Sequence, residues 1–264
     1  FRALQRSGAI RDVIAVLPVA ATEQHGPHLP LKVDTAIVDG VIREAVAQLP
    51  THSQALFLPT QAVGFSPEHA RFVGTLTLKA ETVLRLWTEL AESVAATGVR
   101  KLLIFNAHGG QANLMDLVAR DLRARLDMMV FSVNWYALPL VGPRGEDVDA
   151  LFGAQEHRFG VHAGDLETSM MLAIDPARVT MSAAANFPST AKQRADTFKI
   201  LGNGKMAKFA WQMQDYNPDG AAGNAAAATP QKGEQVLEAA GRALAALLLE
   251  MQALDLSTLN NTAH

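Results

Sequence analysis

Glu23, His25, His28 and Asp34 fall within twelve residues of one another, in the stretch Val16–Asp34 (VLPVAATEQHGPHLPLKVD). Each can bind a divalent cation or move a proton. They follow a continuous apolar run, Val13 to Ala21, with Asp12 before it. Such a run bounded by polar residues reads as a buried strand. Carboxylates and imidazoles just past its end stand where open α/β sheets bind their ligands. Charged groups beside an apolar strand are costly unless paired or metal-bound, so the stretch reads as half of a metal site.

Two further clusters supply the same side-chain types. Asn106–Asn113 (NAHGGQAN) follows the apolar run Lys101–Phe105 and places His108 before Gly109 and Gly110. The two glycines either let the backbone approach a metal or anion closely or simply make a tight turn. In His162–Ser169 (HAGDLETS), His162 and Glu167 flank Gly164 and could both point into a cleft above the sheet. Alternatively, Glu167 is an ordinary helix-start carboxylate favoured by the dipole, and His162 its capping neighbour. The loop Gly64–Gly74 (GFSPEHARFVG) carries Ser66, Glu68 and His69, and reads equally as a solvated turn. Trp135 is either core or pocket wall. The chain has no cysteine, and oxygen and nitrogen ligands suit zinc, manganese or iron rather than copper(I) or iron–sulfur. Two such ions sharing a carboxylate would generate a hydroxide near neutral pH and polarise a carbonyl.

The elements that must hold these groups alternate. Helical spacing is expected over Thr35–Leu49, with Asp34 as its cap, and over Lys79–Thr97, stopped by Gly98. Leu114–Leu126, Val161–Ile174 and Pro230 to about Leu254 read as further helices. Strands are expected at Ala55–Pro59, Lys101–Phe105 and Met128–Val133. Strand, helix, strand, helix, strand implies a mainly parallel sheet with helices on both faces, an α/β class. The pattern is lost from Trp135 to about Gly160, which suggests a functional loop or an excursion over the site. Asn186–Lys199 reads as irregular. No repeat or linker is visible, so residues 1–264 are expected to form one domain.

The 264 residues are 49% hydrophobic and carry a net charge of −3, which argues against nucleic acid as the main partner. The most apolar stretch, Val236–Leu254, is interrupted by Glu238, Arg242 and Glu250, so no membrane span is expected. With no visible signal peptide, a cytoplasmic protein is the default expectation.

The motifs TEQHGPHLPL-x-x-D, GFSPEH-x-x-F-x-GTLTL, N-x-HGG-x-x-N and HAGDLETSMML, with the late GAAGNAAAATPQKGE, occur in one order from Val13 to Glu234. Together they resemble the creatininase (creatinine amidohydrolase) family. The resemblance implies a three-layer α/β/α fold with a central, mostly parallel sheet, assembled as a homohexamer. It also implies two divalent metal ions per chain, zinc, manganese or iron, and a metal-bound hydroxide cleaving a cyclic amide, amidine or formamide-type C–N bond. By position, Glu23 would bind one metal, His25 the other, and Asp34 both, with His108 completing the first set. His162 would handle the proton, and Ser66 lies in a loop that contacts substrate. Ser66, Gly109, Gly110 and Trp135 are the expected substrate-facing positions.

One departure stands out. Creatininase proper has an aromatic residue and a metal-binding glutamate directly after the histidine that corresponds to His108. Here those positions are Gly109 and Gly110. Either Glu167 supplies the missing carboxylate, and is then a ligand as well as a candidate proton carrier, or the second metal is weakly held. No aromatic wall is recognisable near Arg158, which argues against creatinine itself as the small-molecule substrate. The alternatives are another small cyclic metabolite on the same metals, or a lapsed enzyme acting as a binding or peptide-processing partner.

Overall fold

The computed structural model describes residues 2–204 and 206–260. Ile14–Val19 (β1), Ala55–Phe57 (β2), Lys101–Asn106 (β3) and Met129–Asn134 (β4) form a parallel sheet in the order β2-β1-β3-β4. Every residue of β1 and β3 is buried. A parallel sheet covered on both faces requires this, which is why these strands read as unbroken apolar runs.

Side chains still alternate between the faces. Ile14, Val16, Leu103 and Phe105 join one core with Val33–Gln48 (α1), Asp165–Ile174 (α4) and Pro230–Ala253 (α5). Ala15, Leu17, Leu102 and Ile104 join the other with Ala80–Ala96 (α2) and Ala112–Leu126 (α3). The result is a three-layer α/β/α arrangement. In α2 the buried residues are Val83, Trp87, Ala91 and Ala95, one stripe at four-residue spacing. Thr229 caps α5 by accepting from the Lys232 N–H, and Pro230 fills its first position. Within α5, a Cβ on Gly233 would overlap the Ser169 carbonyl, and one on Gly241 would press into Glu44 and Ala45. The two glycines thus bring α5 against the backbones of α4 and α1, the helices that carry Glu167 and Asp34.

Several local expectations are corrected. Helix α1 starts at Val33 with Lys32 at the cap position, so Asp34 lies inside the first turn and caps nothing. Helix α4 starts only at Asp165, because His162 pairs with Ala222 in a short bridge and Ala163 turns at φ 52°. The stretch expected to be irregular from Asn186 contains a helix, Thr190–Thr197, capped by Ser189. Trp135–Gly160 is built from short turns and the helix Ala154–Phe159. Among the described residues no helix is long and apolar enough to cross a membrane.

Lys101 is 1% exposed at the start of β3. Its ammonium donates to the carbonyls of Met251 (2.9 Å), Gln252 (3.2 Å) and Leu254 (2.7 Å). Those carbonyls lie at the electronegative end of α5 and have no partner within the helix. Lys101→Met keeps the bulk and deletes all three donors. Urea denaturation should show a loss of about 3 kcal/mol; an unchanged midpoint would remove this role.

Candidate metal centre

Chain order and strand order disagree beside β1. β2 lies on one side of it and β3 on the other, so the connections diverge at the carboxyl ends of β1 and β3. This is the position at which parallel sheets open a ligand crevice. Val19 and Asn106 are paired there. Glu23 and His25 follow β1, His108 follows β3, Asp34 and Glu167 come from the first turns of α1 and α4, and Ser66–His69 turns in from the β2–α2 connection. Asn106 locks the His108 peptide by accepting its N–H (3.0 Å) and donating to its carbonyl (2.5 Å).

Two groups of ligand-type atoms lie within 4.8 Å of one another and share Asp34: Glu23, Asp34 and His108, and His25, Asp34 and Glu167. The Asp34 oxygens divide between them. Oδ1 is 3.4 Å from His25 Nε2 and Oδ2 is 3.4 Å from His108 Nδ1.

The histidines reveal what the centre is built to hold. His25 Nδ1 donates to the Glu23 carbonyl (3.0 Å), His162 Nε2 to the Gln24 carbonyl (2.7 Å), and His108 Nε2 lies 3.1 Å from the Phe65 carbonyl. A carbonyl only accepts, so each ring spends its proton outward and turns a lone pair inward. The inward nitrogens face carboxylates: His108 Nδ1 is 3.3 Å and His162 Nδ1 is 3.8 Å from Glu23 Oε1. Lone pairs aimed at carboxylates repel unless a cation stands between them. His25 Nε2 and Asp34 Oδ2 are buried without a hydrogen-bond partner. This donor set fits divalent metal, with each ligand oriented by its other nitrogen.

The electrostatics agree. Burial opposes charge on His25, but the adjacent Asp34 carboxylate outweighs it and lifts its pKa to about 9. Burial likewise opposes charge on His108, and the Glu23 carboxylate raises its pKa well above the usual range. In the metal-free chain a proton is drawn to the place a cation would take. Burial pushes the Glu23 carboxyl up, and burial with the charge of His25 pulls His162 down to about 3.

Several expectations need correction. The Ser66–His69 turn is not solvated: Ser66, Glu68 and His69 are all buried. The Ser66 hydroxyl, expected to meet substrate, donates to the Glu23 carboxylate. Trp135 is 2% exposed and belongs to the core, because the turn Trp135–Ala137 directs it inward. The aromatic facing Gly109 is instead Tyr136, whose hydroxyl would lie 3.5 Å from a Cβ built there. His28 stands apart from the four groups of ligand-type side chains, with Nε2 2.9 Å from the Thr168 hydroxyl and burial lowering its pKa to about 4.

Glu68 and His69 had no claim from sequence beyond their residue types. His69 differs from the other rings. Gln24 Oε1 accepts from the Gly26 N–H (2.9 Å), which leaves the Gln24 amide to donate to His69 Nδ1 (2.8 Å). The His69 proton therefore sits on Nε2, 3.5 Å from Glu23 Oε1. Trp211 packs edge-on against this ring at 6.2 Å.

Residues 4–248 match the family model of creatininase, creatinine amidohydrolase. A mycofactocin precursor peptide peptidase of Mycobacterium tuberculosis is 35% identical over 170 residues, 62% of this chain and 59% of that protein. The chain thus aligns with less than two thirds of the length of that relative. The creatinine amidohydrolase of Pseudomonas putida is 25% identical over 213 residues, 73% of this chain and 76% of that protein. Among solved structures, a Bacteroides fragilis protein assigned as a creatinine amidohydrolase has a TM-score of 0.74 at 26% identity, covering 92% of this chain and 90% of its own. Creatininase with manganese has a TM-score of 0.73 at 24% identity, covering 94% and 95%.

Proposed function

The chain belongs to the creatininase family of metal-dependent hydrolases, and from that premise we propose that it cleaves the C–N bond of a small amide, amidine or formamide. The observation that carries this reading is the inward lone pairs of His25 and His108 on the two oxygens of Asp34. Two divalent ions, zinc, manganese or iron, would be held by Glu23, Asp34 and His108 on one side and His25, Asp34 and Glu167 on the other. Such ions supply Lewis-acid polarisation of a carbonyl and acidify water towards neutral pH.

The remaining steps belong to the chain. His162 keeps Nε2–H on the Gln24 carbonyl and offers Nδ1 to the site. It accepts a proton there and passes it to the leaving nitrogen. Ser66 fixes the Glu23 carboxylate, and the Ala163 N–H holds one Glu167 oxygen at 2.5 Å. Gly109 faces the Tyr136 hydroxyl, which would lie 3.5 Å from a Cβ built there.

A peptide substrate is the second reading, favoured by the 35% identity to a mycofactocin precursor peptide peptidase. One panel separates the two. Metal-loaded protein is offered cyclic amides, cyclic amidines, N-formyl amines and short peptides, and amine release is followed. Turnover confined to the small compounds supports the first reading, and turnover confined to peptides replaces it with the second. A protein that binds two ions yet turns over none of them would be a binding partner that has lost catalysis.

A further inference from the structure

Glu68 is 8% exposed, on a turn remote in sequence from every strand end that supplies a ligand. Its ion-pair contact is His108, with Oε1 3.2 Å from Nε2. That same nitrogen lies 3.1 Å from the Phe65 carbonyl. The His108 Nε2 proton is given to the Phe65 carbonyl with the Glu68 carboxylate beside it, and Nδ1 is left to face Glu23 and Asp34.

Gly110 makes this contact possible. A Cβ built there would overlap Glu68 Oε1 and crowd His108 Nε2. The backbone at Gly110 has no positive φ, so conformation does not demand glycine. Space does. Gly109 is different: its Cβ would meet only the Tyr136 hydroxyl, at ordinary contact distance.

We propose that Glu68 is the positioning residue of His108, and that Gly110 is the vacancy through which its carboxylate reaches the ring. The proposal rests on the metal-centre reading above. A carboxylate behind an imidazole fixes its tautomer and raises its basicity as a ligand. Direct ligation by Glu68 is the competing arrangement, since Glu23, Glu68 and His69 also lie within reach of one another. His69 carries its proton on the nitrogen facing that group, which leaves the group without an imidazole ligand.

The test uses metal-free protein titrated with cobalt(II), read by visible absorption and by competition with a chelator. Wild type is compared with Glu68→Gln, Gly110→Ala and the double variant, with circular dichroism as a check on folding. Each single variant should keep two sites, shift the cobalt spectrum and bind about 10–100-fold more weakly. The double variant should be no worse than Gly110→Ala, because the added methyl has already displaced the carboxylate. Glu68→Gln is isosteric, so it decides the matter even if Gly110→Ala does not fold.

Wild-type affinity and spectrum in Glu68→Gln would overturn the proposal, as would penalties that add in the double variant. Loss of one whole site in Glu68→Gln would replace positioning with direct ligation. Wild-type protein that binds no cobalt would sink the metal centre itself, an outcome visible before any variant is compared.

Discussion

Asp34→Ala should empty both cation positions together and reduce turnover to background. Asp34 is the side chain that the group Glu23, Asp34 and His108 shares with the group His25, Asp34 and Glu167, with Oδ1 towards His25 and Oδ2 towards His108. Removing one partner of a buried charge pair costs about 3–5 kcal/mol, roughly 10²–10⁴-fold in affinity, and here each ion loses such a partner. Metal content per chain, measured on wild type and variant purified side by side, reads the result directly. Loss of a single ion would mean that Asp34 serves one position and that the two are independent.

Thermal stability gives a second view of the same variant. A ligand present at a thousand times its dissociation constant stabilises a fold by about 4 kcal/mol. Chelation should therefore lower the melting temperature of wild type and leave Asp34→Ala unmoved. Affinity should also depend on pH with a defined sign. The carboxylates hold a proton on His25 up to about pH 9 in the metal-free chain. A cation must displace that proton, so binding strengthens as the pH rises towards 9.

The convergence of Glu23, His25 and His108 was legible because it follows from the sheet, whereas the shared role of Asp34 and the ligand role of Glu167, both on the first turns of helices, came through the family resemblance. Continuous apolar runs in β1 and β3 mark strands buried on both faces, and polar side chains just beyond them must meet at the carboxyl edge. Glu68 and His69 were not legible for a different reason. Their turn has no apolar period, and what buries them is the absence of a side chain at Gly110 and a hydrogen bond from Gln24, both on other segments. Trp135 illustrates a third limit. An aromatic pair at a strand end has one member inside and one outside, and only the direction of the turn decides that Trp135 is core while Tyr136 faces the site. His28 reads like its neighbours in sequence, but Gly26 turns at φ 67° between them and leaves it facing Thr168.

His162→Ala should leave both ions bound and reduce turnover by roughly 10²–10⁴-fold, the span expected when a general acid–base group is lost. The ring lies between His25 and His69, at centroid distances of 4.2 and 4.1 Å. Its Nε2 is committed to the Gln24 carbonyl, so only Nδ1 is free to exchange a proton with substrate. The backbone around it is shaped for this placement. The bridge to Ala222 fixes the His162 peptide, and Ala163 adopts φ 52°, a left-handed conformation that costs a residue with a Cβ about 1 kcal/mol or more. That turn delivers two things at once: the imidazole against Glu23, and the Ala163 N–H to the Glu167 carboxylate. The strained turn thus serves the proposed proton carrier and the proposed ligand together. Because His162 also lies within reach of Glu23 and His25 as a possible ligand, metal content decides its role. An unchanged two ions per chain with slow turnover identifies a proton carrier. A lost ion makes it a ligand, and a variant with wild-type turnover would give it neither role.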